Sequence, residues 1–138
     1  MKAEMKRVPN MLRFVVAFVC VLALGTVVLA QGESEKTWDD AVALFNQAFE
    51  AQQAARYEDA IILYEDALVI VRALEQQPAE GIILYNLGIC YASLFEYQRA
   101  ISYYEKSLVI KRNIDDRAGE ADTLSNLGNC YYYRRFRV

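Results

Sequence analysis

The chain has 138 residues, 55% of them apolar, with a net charge of −3, two prolines and no histidine. This composition suits one helical globular domain and excludes a chain disordered throughout. The lack of histidine removes the most frequent general base and metal ligand, and there is no GxSxG segment or glycine-rich phosphate loop; no catalysis, cofactor or metal site is expected.

Residues 1–30 stand apart from any fold. Lys2, Lys6, Arg7 and Arg13 precede an uncharged apolar run of 17 residues, Phe14 to Ala30, which ends Val28-Leu29-Ala30 before Gln31. That order is the pattern of an export signal cleaved before Gln31. The run is also at the short limit for a membrane anchor, and a buried core helix is a third reading. Cys20 lies inside it without the context of a lipidation site. An exported location follows, periplasmic or extracellular, with a membrane-anchored display of the same outside face as the alternative.

The remaining 108 residues carry 11 Lys and Arg against 17 Asp and Glu, a net charge of −6. Phosphate backbones demand a clustered positive face, so no nucleic-acid partner is expected. The one basic cluster, Arg134, Arg135 and Arg137, sits at the tail. Cys90 and Cys130 occupy matching places in successive repeats, about 10 Å apart if each sits on its own helix, which is too far for a disulfide; two buried free thiols are expected.

After a linker and helix start at 31–40, residues 41–80 align with 81–120 without a gap, at twelve identities in forty. Leu44/Leu84, Asn46/Asn86, Tyr57/Tyr97, Tyr64/Tyr104, Arg72/Arg112 and Glu80/Glu120 are among them. A third copy, 121–138, repeats Leu124, Asn126, Leu127, Gly128, Cys130 and Tyr131 at the same offset and contains a first helix only. Within copy two, Leu84, Leu87, Gly88 and Tyr91 form one helical stripe, and Tyr97, Ala100, Ile101, Tyr104 and Leu108 form another. Each copy is therefore a pair of helices joined near residues 93–96 or their equivalents, and a fixed period of this size marks a solenoid. The adjacent acids Asp39-Asp40 and Asp115-Asp116 fall near helix ends and read as solvated charge, and the ten tyrosines read as core and groove residues.

The wording L-x-x-L-G-x-x-Y followed by A-x-x-x-Y, with "NLGNCY" and "YxxAIxYYExSLxIxR", resembles the tetratricopeptide repeat in its long form of about forty residues. It is similar to the repeats of kinesin light chains, of cell-polarity adaptors and of bacterial proteins that join such repeats to a CHAT protease-like domain. Copy one departs, with Gln47, Ala48 and Ala51 in place of the L, G and Y. The family's turn glycine is Ala55 in copy one and Phe95 in copy two, at a cost of about 1 kcal/mol wherever the backbone is left-handed. The resemblance implies an all-α, right-handed superhelical solenoid of antiparallel helix pairs that binds other proteins.

In such a solenoid the first helices line a concave surface. Residues one place beyond the packing stripe face the hollow: Phe45, Phe49 and Gln52 from copy one, Tyr85, Ile89 and Ala92 from copy two, Ser125, Asn129 and Tyr132 from copy three. In the resembling proteins these positions hold an extended peptide or a partner helix. Asn129 matches an asparagine of the family that grips a ligand backbone, but its equivalents are Ile89 and Phe49, so the grip expected here is mainly apolar. The competing reading packs these side chains under a neighbouring segment.

Copy three leaves Leu124, Leu127, Gly128 and Tyr131 as an end stripe with no second helix to cover it. Self-association of the chain, a helix from another protein, or the cut end of a longer repeat protein would each account for it, and the last is favoured. A recognition arm of a larger protein with a C-terminal catalytic domain is accordingly the alternative to a self-contained binding module.

Overall fold

A computed structural model describes residues 36–136. The export or anchor segment therefore lies outside the described residues. Among those described there are five helices and no strand: α1 (Trp38–Gln53), α2 (Tyr57–Ala73), α3 (Gln77–Ser93), α4 (Tyr97–Asn113) and α5 (Arg117–Phe136). Each packs on its chain neighbours, and α3 also touches α5. The first helices begin at Trp38, Gln77 and Arg117, within one residue of the forty-residue period of the sequence, so that period is the spacing of helix pairs, and the fold is the expected all-α solenoid.

Local chemistry sets the ends of these helices. Thr37 caps α1 through a capping box: its hydroxyl accepts from the Asp40 amide at 3.4 Å, and its own amide donates to the Asp40 carboxylate at 2.7 Å. The Asp40 carboxyl is held below the usual carboxylate range, first by that backbone bond and then by the Thr37 hydroxyl. Pro78 sits in the first turn of α3, where its missing amide costs nothing. Lys111 and Arg112 close α4, at the negative end of its dipole.

The four helix-to-helix turns share one geometry. Ala55, Glu75, Phe95 and Asp115 are left-handed, with φ of 56°, 53°, 60° and 59°. The amide of each following residue donates back to the carbonyl five residues earlier, as Arg56 to the Ala51 carbonyl at 2.9 Å and Glu96 to the Tyr91 carbonyl at 2.9 Å. This is the Schellman termination that glycine usually completes; here four side-chain-bearing residues accept it, at roughly 1–2 kcal/mol each. The strain anticipated at Ala55 and Phe95 is thus present, and it recurs at Glu75 and Asp115.

The core runs along the seam between the two helices of each pair. Tyr64 of α2 and Tyr104 of α4, forty residues apart, are fully buried and meet Phe45 and Tyr85 in tilted ring contacts at 5.6 and 5.8 Å. Leu84, Leu87 and Cys90 are buried beside them. Gly88 is small by necessity, because a Cβ there would lie 2.5 Å from the Tyr104 ring. Between pairs, Arg72 Nε donates to Glu80 Oε1 at 2.7 Å, and Arg112 Nε to Glu120 Oε1 at 2.7 Å. Two of the repeated identities are therefore one ion pair used twice.

Candidate functional site: the face of the first helices

Cavities open where successive first helices lie side by side. The first, about 170 Å³, is lined by Trp38, Ala41, Val42 and Phe45 of α1, Val71 of α2, and Ala79, Ile82 and Ile83 of α3. No polar side chain lines it. Trp38, Val42 and Ile82 form its exposed rim, and Phe49, 44% exposed, continues the apolar strip by stacking on Phe45 at 6.5 Å with 9° between the rings. A large aliphatic or aromatic side chain is what such a wall accommodates.

The second cavity, about 340 Å³, lies between α3 and α5 with α4 as its floor. Ile89, Ala92 and Ser93 line one side and Asn126, Asn129, Cys130 and Tyr133 the other, with Tyr97 and Tyr104 beneath. Its walls mix apolar carbon with two side-chain amides, so it offers hydrogen bonds as well as contact area.

The nine groove positions do not all behave alike. Phe45, Ile89, Ala92 and Asn129 line these cavities, and Phe49 stands exposed beside the first. Tyr85 is half-buried and fixed in place: its hydroxyl accepts from Asn126 Nδ2 at 2.8 Å, and Lys111 Nζ lies 4.6 Å from its ring centroid. Burial first, then the charge of Asp122, pushes the Tyr85 hydroxyl up. Gln52 turns inward, where its Oε1 accepts from the Tyr64 hydroxyl at 2.8 Å and from the Cys90 thiol at 3.8 Å. Ser125 and Tyr132 are exposed, and the Tyr132 ring packs on Tyr133 and Phe136 at 5.5 and 4.8 Å.

Sequence reasoning passed over Trp38, Val42 and Ile82. Val42 and Ile82 lie one helical turn before Phe45 and Tyr85, so extending the same stripe toward the helix start finds them. Trp38 is one further turn back from Val42.

At the other end of the described residues, Leu124 is 43% and Tyr131 41% exposed, where their equivalents Leu84 and Tyr91 are buried. Leu127 is half-buried against the core, and a Cβ on Gly128 would meet nothing within 4 Å. The Tyr131 hydroxyl donates to Glu105 Oε1 at 2.9 Å, and Arg134 Nη1 to Gln98 Oε1 at 2.7 Å. These bonds tie one flank of the stripe to α4.

Cys90 and Cys130 are free and buried. Burial pushes the Cys90 thiol up to about 11, and Cys130 in the same direction, away from the thiolate a nucleophile requires. Among the described residues no group of His, Cys, Asp and Glu converges to hold a metal ion, and no helix is long and apolar enough to cross a membrane.

No curated protein matches the chain. A tetratricopeptide repeat model matches residues 39–113, more than half of the sequence and both complete helix pairs, so the chain belongs to the tetratricopeptide repeat family, a fold of protein-interaction modules.

Proposed function

We propose that this chain is an exported protein-interaction module, without catalysis of its own, that holds an extended peptide or a partner helix against the face of α1, α3 and α5. The observation that carries the reading is the apolar cavity walled by Trp38, Val42, Phe45 and Ile82, with Phe49 exposed beside it. Apolar surface left open at that site gains the most from a partner, about 25 cal/mol for each Å² removed from water. Ligands with large aliphatic or aromatic side chains at spaced positions suit it, and Asn126 and Asn129 supply hydrogen bonds to a backbone passing the second cavity.

Panning a random peptide display library on the full chain tests the reading. Peptides rich in large apolar side chains should be enriched by the natural sequence and lost when Phe49→Asp and Ile82→Asp are combined. Both positions are exposed, so helicity should be kept. Equal enrichment by the variant contradicts the groove. Export rests on the order of charge and apolar residues in 1–30, and intact mass of the mature product tests it: a first residue other than Gln31 counts against cleavage there.

A further inference from the structure

The wall of the apolar cavity has a counterpart one repeat later, and the two differ in kind. Forty residues on from Val71, Ile82 and Ile83 of the cavity stand Lys111, Asp122 and Thr123. Lys111 is buried, with its Nζ 4.6 Å from the centroid of the Tyr85 ring, and Asp116 Oδ2 crowds the same point beside Gly119. The Thr123 hydroxyl donates to the Gly119 carbonyl at 2.6 Å, and the Tyr85 hydroxyl accepts from Asn126 at 2.8 Å. These polar groups are engaged within the protein. Asp122 is not: its side chain is exposed and makes no hydrogen bond or ion pair among the described residues.

The face toward the hollow changes in the same direction. Each first helix presents two residues seven apart: Val42 and Phe49 on α1, Ile82 and Ile89 on α3, and then Asp122 and Asn129 on α5, both exposed. Resting on the groove reading above, we propose that the partner segment carries a lysine or arginine besides its large apolar side chain, the apolar group entering the cavity between α1 and α3 and the cation meeting Asp122 on α5. An acidic partner would set like charge on Asp122, and Lys111, the basic residue of this set, is turned inward where it cannot compensate. With neighbouring helices about 10 Å apart, Asp122 stands roughly 15 Å from the middle of the cavity, which extended chain at about 3.3 Å per residue covers in four or five residues. The structure thus assigns a spacing as well as a charge to the segment it holds.

Sequencing the random peptides that the full chain retains tests the proposal. At low salt, Lys and Arg should exceed Asp and Glu by about threefold or more at the fourth or fifth residue from the apolar anchor, and added salt should narrow the excess. Asp122→Asn should abolish this choice and Asp122→Lys should reverse it, with the apolar anchor still selected by both. Asp122 is exposed, so far-UV circular dichroism of the two variants should match the natural chain. Asp66→Lys on α2 makes the same change in net charge at another exposed position and should leave the choice intact, which separates Asp122 from the acidity of the chain as a whole. Apolar anchors selected without a charge preference, a preference that survives Asp122→Lys, or one that Asp66→Lys removes equally overturns the inference and leaves the groove standing. Failure of the natural chain to select apolar anchors overturns the groove reading and this inference with it.

Discussion

Gly88 abuts the ring of Tyr104 so closely that a Cβ in its place would stand 2.5 Å from Cε1 and 2.6 Å from Cδ1. Gly128 holds the same motif position one repeat later and has open space instead. One substitution should therefore have opposite effects at two equivalent sites. Gly88→Ala should lower stability by about 1–3 kcal/mol through overpacking against a fixed aromatic ring. Gly128→Ala should raise it by about 0.5–1 kcal/mol, the ordinary gain of replacing a glycine inside a helix. Urea unfolding of the two variants checks both signs, and a shared sign would mean that α4 does not cover α3 as described.

The left-handed residues at the turns lead to a second expectation. Ala55 has φ of 56° and an exposed side chain, so Ala55→Gly removes strain and gives up little contact. Relief of about 1–2 kcal/mol, less the glycine's greater freedom in the unfolded chain, should leave a net gain of about 0.5–1 kcal/mol. The thermal midpoint should rise accordingly; a fall would show that the turn is not left-handed.

Much of this was legible in the residues themselves. The packing stripes through Leu84, Leu87 and Tyr91 and through Tyr97, Ala100 and Tyr104 follow a 3.6-residue period, and the period alone places them on facing helices. The turn strain at Ala55 was visible because the family places glycine there. Glu75 and Asp115 gave no such signal, since the turn between successive pairs has no glycine in the motif as read. Spacing alone sets Gln52 with the groove, yet a buried tyrosine hydroxyl requires a partner, and Gln52 supplies it to Tyr64. The rim at Trp38, Val42 and Ile82 lies toward the helix starts, ahead of the stripe that begins at Leu44 and Leu84. Periodicity gives a direction around a helix, not how far along it a cavity opens.

Alkali should unfold this protein sooner than acid weakens it through any histidine, since there is none. Burial raises the Cys90 thiol above its ordinary value to about 11, and burial raises the Tyr64 and Tyr104 hydroxyls as well. A raised acid favours the protonated form in the fold, so its contribution is complete below the unfolded value and is lost as pH climbs through the folded one. Between pH 9 and 11 the Cys90 thiol alone should remove on the order of 2 kcal/mol. Urea midpoints should be flat with respect to these groups from pH 6 to pH 8 and fall steadily above pH 9, while a thiol reagent at pH 8 should label Cys90 only after unfolding.

The repeated ion pair between helix pairs should contribute modestly. Arg72 and Glu80 meet at 2.7 Å, but the arginine side chain is 51% exposed and the glutamate 20%, so solvent screens the pair. A double-mutant cycle of Arg72→Ala and Glu80→Ala should give a coupling of about 0.3–1 kcal/mol that shrinks as salt is added. Coupling that salt leaves unchanged would place the pair in a drier setting than its exposure indicates.

Trp38, the one tryptophan of the chain, stands 45% exposed at the rim of the apolar cavity, so its fluorescence reports directly on whether anything enters. Titrating the full chain with a tryptophan-free apolar peptide recovered from the display library should shift Trp38 emission to the blue and saturate, and Phe49→Asp with Ile82→Asp should remove the shift. Saturable binding seen by calorimetry with Trp38 emission unmoved, or binding that survives the paired substitution, would contradict a partner held on the face of the first helices.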